Sequence, residues 1–382
     1  ASCCAAAAPL RVNSTTPGTQ LDPAIAAEGA NIYIAWQSKK NGEWSIRFAA
    51  SANGGRTFSA DICLSCGIPA KDGFEPIHHA PAVAAAPGGR VYIVWQGITD
   101  DIDYDIFFAA SRDGGRTFSS PIRVNSFKDG NQQFPSIAPT SDGALVSWQD
   151  NRGNPAVWNI YSASVSRTGK NSSGDILISR NSPAALNLWS RAAVSKTGRS
   201  AIVWQCGGDI CHSSKSADND NFTATTKAFP QPADRQAPSA AFAPDGTLFL
   251  AYTGSGTSRV DIYGAAMLPG SEHFNPPSKL SADTTFDQTQ PAVAALPDSS
   301  FAAAWVDTRK PGDLSLFLNG FSVKNGSVLP LKPAEIRFDS PSPTGFSEHP
   351  ALAATPKGAI LAAWADDQSG DYDICFDKFM IK

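Results

Sequence analysis

Apolar and polar positions along this chain fall into short bursts of four to eight residues, and the bursts come in groups of four. Between His78 and Ser126 the group reads Pro81 to Ala86, Arg90 to Gln96, Tyr104 to Ser111 and Pro121 to Asn125. Val, Ile, Phe and Tyr dominate each burst, and Pro-Gly-Gly, an Asp cluster or Asp-Gly-Gly separates it from the next. This punctuation predicts strands joined by tight hairpins. One such meander cannot bury both of its faces, so it needs copies of itself to pack against.

The chain supplies them. The aromatic closing the second burst recurs as Trp36, Trp95, Trp148, Trp204, Tyr252, Trp305 and Trp364, every 48 to 59 residues. Ahead of each lies a strand of small residues: PAIAA at 23, PAVAA at 81, PSIAP at 135, RAAVS at 191, PSAAF at 238, PAVAA at 291 and PALAA at 350. Small side chains suit strands crowded around an axis, and the bulkier second and third strands suit the widening space between radiating sheets. The pattern predicts an all-β protein, a seven-bladed β-propeller of four-stranded antiparallel blades. The last repeat stops one strand short. Leu10-Arg11-Val12-Asn13 resembles the fourth-strand run Ile122-Arg123-Val124-Asn125. Residues 9–15 are therefore expected to form the outer strand of the last blade, closing the ring and shielding its edges. Residues 1–8 read as a tail and 9–382 as a single domain, because no linker interrupts the repeat.

Composition narrows the function classes. Charged residues make up 17% of the chain, against about 25% in ordinary soluble domains. Ser, Thr, Asn and Gln carry the surface instead, a style of secreted β proteins. A net charge of −4 without a basic patch argues against nucleic-acid partners. No apolar run approaches the roughly 20 residues of a membrane helix. Of seven cysteines, Cys63/Cys66 and Cys206/Cys211 are disulfide candidates, the second pair across a hairpin. Cys3 or Cys4 after Ala1-Ser2 matches the end of a lipoprotein cleavage box and is a candidate for lipidation. Cys375, on the strand next to the N-terminal run, is a further disulfide candidate.

Two turns are more specific. Ser51-Ala52-Asn53-Gly54-Gly55-Arg56-Thr57-Phe58 and Ser111-Arg112-Asp113-Gly114-Gly115-Arg116-Thr117-Phe118 follow the pattern Ser-x-Asp-x-Gly-x-Thr-Trp/Phe, with a worn copy from Ser216 to Phe222. In such a turn the Asp or Asn oxygen accepts backbone N–H bonds, the glycines take positive φ and the aromatic plugs back between strands. These are Asp boxes, and on them the chain resembles the sialidase, or BNR-repeat, superfamily. A second phrase, WQDNRGNPAVWNIY from Trp148, WVDTRKPGDLSLF from Trp305 and WADDQSGDYDICF from Trp364, resembles a repeat of extracytoplasmic microbial propellers. Because it recurs, Asp150, Asp307, Asp366 and the Asp100 to Asp105 cluster read as turn-capping or solvated groups. The sharper alternative is calcium on Asp100, Asp101 and Asp103.

The resemblance implies hydrolysis of terminal sialic acids. That chemistry demands three arginines on the carboxylate, a Tyr nucleophile with a Glu partner and an Asp acid/base. The family's Arg-Ile-Pro motif is missing here. Arg152, Arg191, Arg235 and Arg309 approach one face outside any family motif, and the tyrosines, Tyr372 included, fall in predicted strands. The chain is therefore expected to be a relative that binds without catalysis, with no catalytic residue assigned. Its site is expected at the channel mouth on the face shared by the loops between strands two and three and between blades. The expected lining is Asp22, His78, His79, Gln133, Arg191, Gln236, Gln290, Glu348 and His349. Within it His79, His349 and Asp22, with Cys66 nearby, form a candidate site for a divalent transition metal. The expected partner is a protein or a glycan, and the expected setting is a monomer that is secreted, periplasmic or anchored by lipid at the cell surface. A glycoside hydrolase or lectin, and a metal-binding protein, are the competing readings.

Overall fold

The computed structural model describes residues 9–68, 77–99, 102–169, 173–231, 233–255, 259–282, 285–310, 313–332, 335–339, 346–367 and 369–381. Cys3, Cys4, Asp100 and Asp101 lie outside these, and with them the lipidation candidates and most of the calcium proposal. Among the described residues there is no helix. Seven antiparallel sheets follow one another as the sequence predicts. Their inner strands are Thr19–Glu28, Ile77–Ala86, Gln132–Thr140, Asn187–Val194, Arg235–Phe242, Gln288–Ala295 and Ser347–Ala354, defining blades 1 to 7. Blade 6 carries an extra ribbon, because both Ser327–Pro330 and Ile336–Arg337 pair with Asp313–Lys324.

The ring closes where expected. Leu10–Arg11 pairs antiparallel with Asp373–Phe379, so the first strand of the chain is the outer strand of blade 7. The RVN phrase explains the fit. Asn125 accepts the Ile106 N–H at 2.8 Å and donates to Asp105 at 2.6 Å. Asn13 likewise accepts from Ile374 N at 2.8 Å and donates to Asp373 at 2.8 Å.

The repeated aromatics form the core. Trp36, Trp95, Trp148, Trp204, Trp305 and Trp364 are fully buried, and Tyr252 nearly so. A buried indole N–H needs an acceptor. Gln20, His78, Asn187 and Asp366 supply it at 2.8, 3.2, 2.9 and 3.3 Å for Trp36, Trp95, Trp204 and Trp364. Asp150 serves Trp148 and also accepts from the Arg152 backbone and guanidinium. Asp307 holds Arg309 in the same way. The repeated Trp-x-Asp-x-Arg phrase is thus a hairpin clamp.

The two box turns lock neighbouring blades together. Asn53 Oδ1 accepts from the N–H groups of Arg56 and Thr57, and Asp113 Oδ1 from Thr117. Phe58 packs edge-on against Phe376 of blade 7 at 5.2 Å, and Phe118 against Phe48 of blade 1 at 5.0 Å. At the seam of blades 4 and 5 the slot of Phe48 and Phe376 is taken by His212, which meets Phe274 edge-on at 5.4 Å.

His212 is buried, and burial, followed by the charges of His273 and Arg199, pushes its pKa down to about 4. His78 is pushed to about 4 by burial and by His79. Both folded values lie below the roughly 6.5 of an unfolded histidine. The unfolded chain then binds protons first, so stability is greatest above pH 6.5 and declines as pH falls towards 4. Replacing His212 with Phe, the residue of blades 1, 2 and 7, should flatten that decline. Urea midpoints between pH 7 and 4.5 check this; an unchanged slope in His212→Phe would contradict it.

Candidate functional site at the channel mouth

Each inner strand is broken by a bulge of the same design. Its first residue adopts φ near +50°: Asp22, Ala80, Phe134, Trp189, Ala237, Gln290 and His349. Proline follows in every blade but blade 4, where Ser190 stands. At four of the seven, the bulge N–H is capped across the seam by a glutamine of the preceding blade. Gln37 reaches Ala80 at 3.1 Å, Gln96 reaches Phe134 at 2.7 Å, Gln149 reaches Trp189 at 3.0 Å and Gln290 reaches His349 at 2.9 Å. The repeated Trp-Gln dipeptide of blades 1 to 3 is therefore an inter-blade strut, a role its repetition alone did not disclose.

The expected ring of polar residues divides on this frame. Asp22, Gln290 and His349 are bulge residues, while His79, Gln133, Gln236 and Glu348 immediately precede the bulge. His78 is buried against Trp95 and out of reach of a ligand. Arg191 is not at the bulge but two residues beyond it. The equivalent positions are Ala24, Ala82, Ser136, Ser239, Ala292 and Ala351, all small.

Asp22 and His349 meet across the closing seam, with Nε2 to Oδ1 at 3.2 Å. Burial raises the Asp22 pKa and Glu348 adds to this, against the opposing pull of His349. His79 is held elsewhere. Its Nδ1 donates to Gln37 Oε1 at 3.0 Å, and its ring lies between Trp44 at 4.7 Å and Tyr104 at 6.4 Å. The expected fourth metal donor, Cys66, is bonded to Cys63 in a disulfide, as Cys206 is to Cys211. Oxidised sulfur is no thiolate ligand. No group of three His, Cys, Asp or Glu able to hold a metal forms among the described residues. The expected metal donors thus do not converge among the described residues, and Asp103 caps a turn, accepting from Gly130 N and Asn131 Nδ2.

The four nominated arginines separate cleanly. Arg152 bonds Asp150 and Asp175 and lies 3.9 Å over Tyr161. Arg235 bonds Asp209 at 2.7 Å over Phe229, and Arg309 bonds Asp307 and Glu335 over Phe317. Among the described residues Arg191 makes one hydrogen bond, to the carbonyl of Ser190 at 3.1 Å. Solvent reaches it, yet surrounding protein lowers its pKa by desolvation.

Three functional candidates escape sequence reasoning. Trp44 and Tyr104 flank His79 only because hairpins of two blades converge. Tyr372 precedes its strand rather than lying in it; burial and the nearby Glu348 carboxylate raise its pKa.

No protein-family model and no curated protein matches the sequence. Solved structures do. An ulvan lyase of a polysaccharide lyase family aligns at TM-score 0.63 and 9% identity, covering 96% of this chain and 95% of that one. The NanB sialidase of Streptococcus pneumoniae aligns at TM-score 0.55 and 10% identity, over 98% and 70%. A Hadza microbial sialidase aligns at TM-score 0.51 and 14% identity over 75% of this chain, which spans 63% of its length. At such identities likeness speaks for architecture alone: the chain has the propeller fold found in sialidases and in an ulvan lyase.

Proposed function

We propose that this protein is an extracytoplasmic propeller that binds a carbohydrate bearing an acidic group at its channel mouth and performs no chemistry on it. Arg191 carries the reading. It is the one nominated arginine without a carboxylate, and it stands in a ring otherwise made of Ala and Ser. An accessible guanidinium pairs with a carboxylate or sulfate by charge-assisted, bidentate hydrogen bonds. Trp44 and Tyr104, half-buried on either side of His79, offer apolar faces for a sugar ring. The ulvan lyase is also known bound to -[GlcA(1-4)Rha3S]-, an acidic saccharide, which makes that class a sensible first ligand. Two disulfides fit an oxidising compartment, and the protein is expected to act there as a monomer.

Isothermal titration with a uronate oligosaccharide and its neutral, carboxyl-reduced analogue tests the reading. Arg191→Gln should weaken the acidic ligand by about 10- to 100-fold, the worth of one charged hydrogen-bonded contact, and leave the neutral one unchanged. Trp44→Ala should weaken both. Equal affinity of wild type for the two ligands would overturn it.

One observation favours a second reading, cleavage of a glycoside. Tyr372 with Glu348 close enough to raise its pKa, and the Asp22–His349 pair, are groups able to attack and to move protons. Turnover of an aryl glycoside, lost in Tyr372→Phe, would replace binding by hydrolysis as the function.

A further inference from the structure

Strand alternation collects four charged side chains at one seam on the face opposite the channel mouth. In blade 2, Arg90 and Arg112 stand directly across from each other, one step beyond the ladder pair of Val91 and Ser111. Both lie on the side of Tyr92 and Ala110, which pack with Val146 and Trp148 of blade 3. In blade 3, Asp142 and Arg167 are likewise opposite, one step beyond Gly143 and Ser166, on the side of Ala144 and Val165 that faces blade 2. The blade 3 pair is balanced, since Arg167 bonds Asp142 at 2.8 Å and the Ser141 carbonyl at 2.9 Å. The blade 2 pair is not. Neither Arg90 nor Arg112 forms an ion pair among the described residues, and like charges directly across a ladder are destabilising. The neighbouring acid, Asp113, is committed to its own turn by Ser111 and Thr117. Burial raises the Tyr92 pKa, and the charges of Arg90, Arg167 and Arg112 oppose that rise, so three guanidinium groups stand near one hydroxyl. On the wall that faces the next blade, the equivalent place holds at most one charge in any other blade. That charge is Arg199 of blade 4, opposite Ser216 and bonded to the Ser271 carbonyl of blade 5 at 3.1 Å.

We infer that the seam of blades 2 and 3 is a second binding site, for a tetrahedral oxyanion: sulfate or phosphate, free or carried as a monoester. A guanidinium presents paired N–H donors in a fork that matches such oxygens. The two unbalanced charges of Arg90 and Arg112 select a dianion, because a single carboxylate would leave one of them uncompensated. A bound dianion also removes the repulsion between the two arginines. Arg112 and Arg167 are exposed and Arg90 is half-buried, so the seam is open to an ester as well as to the free ion. It shares no residue with the channel mouth, and its test is separate from that of the acidic carbohydrate.

The whole protein is titrated calorimetrically with inorganic sulfate, inorganic phosphate, galactose 6-sulfate and glycerol 3-phosphate, in chloride of matched ionic strength. Saturable binding of at least one is expected, and the tighter of free ion and ester identifies the source. Arg90→Gln should weaken it by about tenfold or more, the worth of one charged hydrogen-bonded contact. Arg112→Asp, which sets an acid opposite Arg90 as Asp142 stands opposite Arg167, should abolish it while keeping or raising the urea midpoint. Arg56→Gln, at the exposed box arginine of blade 1, should leave it unchanged. No oxyanion binding beyond chloride, wild-type affinity in Arg90→Gln or Arg112→Asp, or an equal loss in Arg56→Gln would each overturn the proposal.

Discussion

Removing residues 1–15 is expected to cost about 5 kcal/mol or more and to erase the cooperative unfolding transition. Val12 is buried in the cluster shared by blades 7 and 1, with Ile25, Trp36 and Phe376. Burying a valine is worth about 1.5 to 3 kcal/mol. Its loss also strips Ile374 of the Val12 N–H bond at 2.7 Å and of the Asn13 acceptor. Orphaned buried groups cost about 1 to 3 kcal/mol each. Beyond residue 13, Ser14 and Thr15 bond Asp61 of blade 1, tying the closing strand to the next blade. The sum reaches the lower end of the 5 to 15 kcal/mol by which whole domains are stable. Circular dichroism melts of the truncated chain and of Asn13→Ala, with a smaller loss of about 2 kcal/mol expected for the latter, measure the effect. A truncated chain with the wild-type midpoint would show that blade 7 does not need its outer strand.

Gly55→Ala is the second large effect, a loss of about 3 kcal/mol. Gly55 has φ +84°, and a Cβ there would sit 2.4 Å from Cε1 and 2.6 Å from Cζ of Phe376. Part of the cost is left-handed backbone strain, about 1 to 2 kcal/mol. The rest is overpacking at a buried ring that Phe58 already holds edge-on, about 1 to 3 kcal/mol. Gly29 isolates the first part, since its φ is +62° and nothing lies within 4 Å of a Cβ. Gly29→Ala should therefore lose only about 1 kcal/mol. Equal urea midpoints for the two variants would mean that the box turn does not clasp blade 1 to blade 7.

Ring closure was legible because one phrase, RVN, performs one task twice, and its asparagine betrays it. Blade count was legible because one large buried aromatic, Trp in six sheets and Tyr252 in the other, recurs once per sheet. Asp150 and Asp307 were read as turn devices by the logic of repetition, and their bonds bear that out. The mouth resisted for a definite reason. Proline marks the bulge in six blades, but blade 4 has Ser190, so the register is lost there and Arg191 is assigned two positions too early. His78 and His79 are adjacent in sequence yet serve opposite ends of the problem, one capping an indole and one facing Trp44. Alternation alone cannot choose between them when both neighbours are the same residue. Tyr372 and Glu348 come together only through hairpin geometry, which no local pattern encodes.

The bulges also bear on how such a protein changes. At each, the backbone geometry is held by a following proline or by a side chain from the neighbouring blade, and hardly by the residue's own side chain. Asp, Ala, Phe, Trp, Gln and His all occupy the same left-handed conformation at the seven sites. Gln290, which caps the next bulge, and the Asp22–His349 pair tie identity to a neighbour; at the other four points side chains can change at little structural expense. Ala80, Phe134, Trp189 and Ala237 can therefore vary one at a time, whereas Gln290, His349 and Asp22 must change as a set.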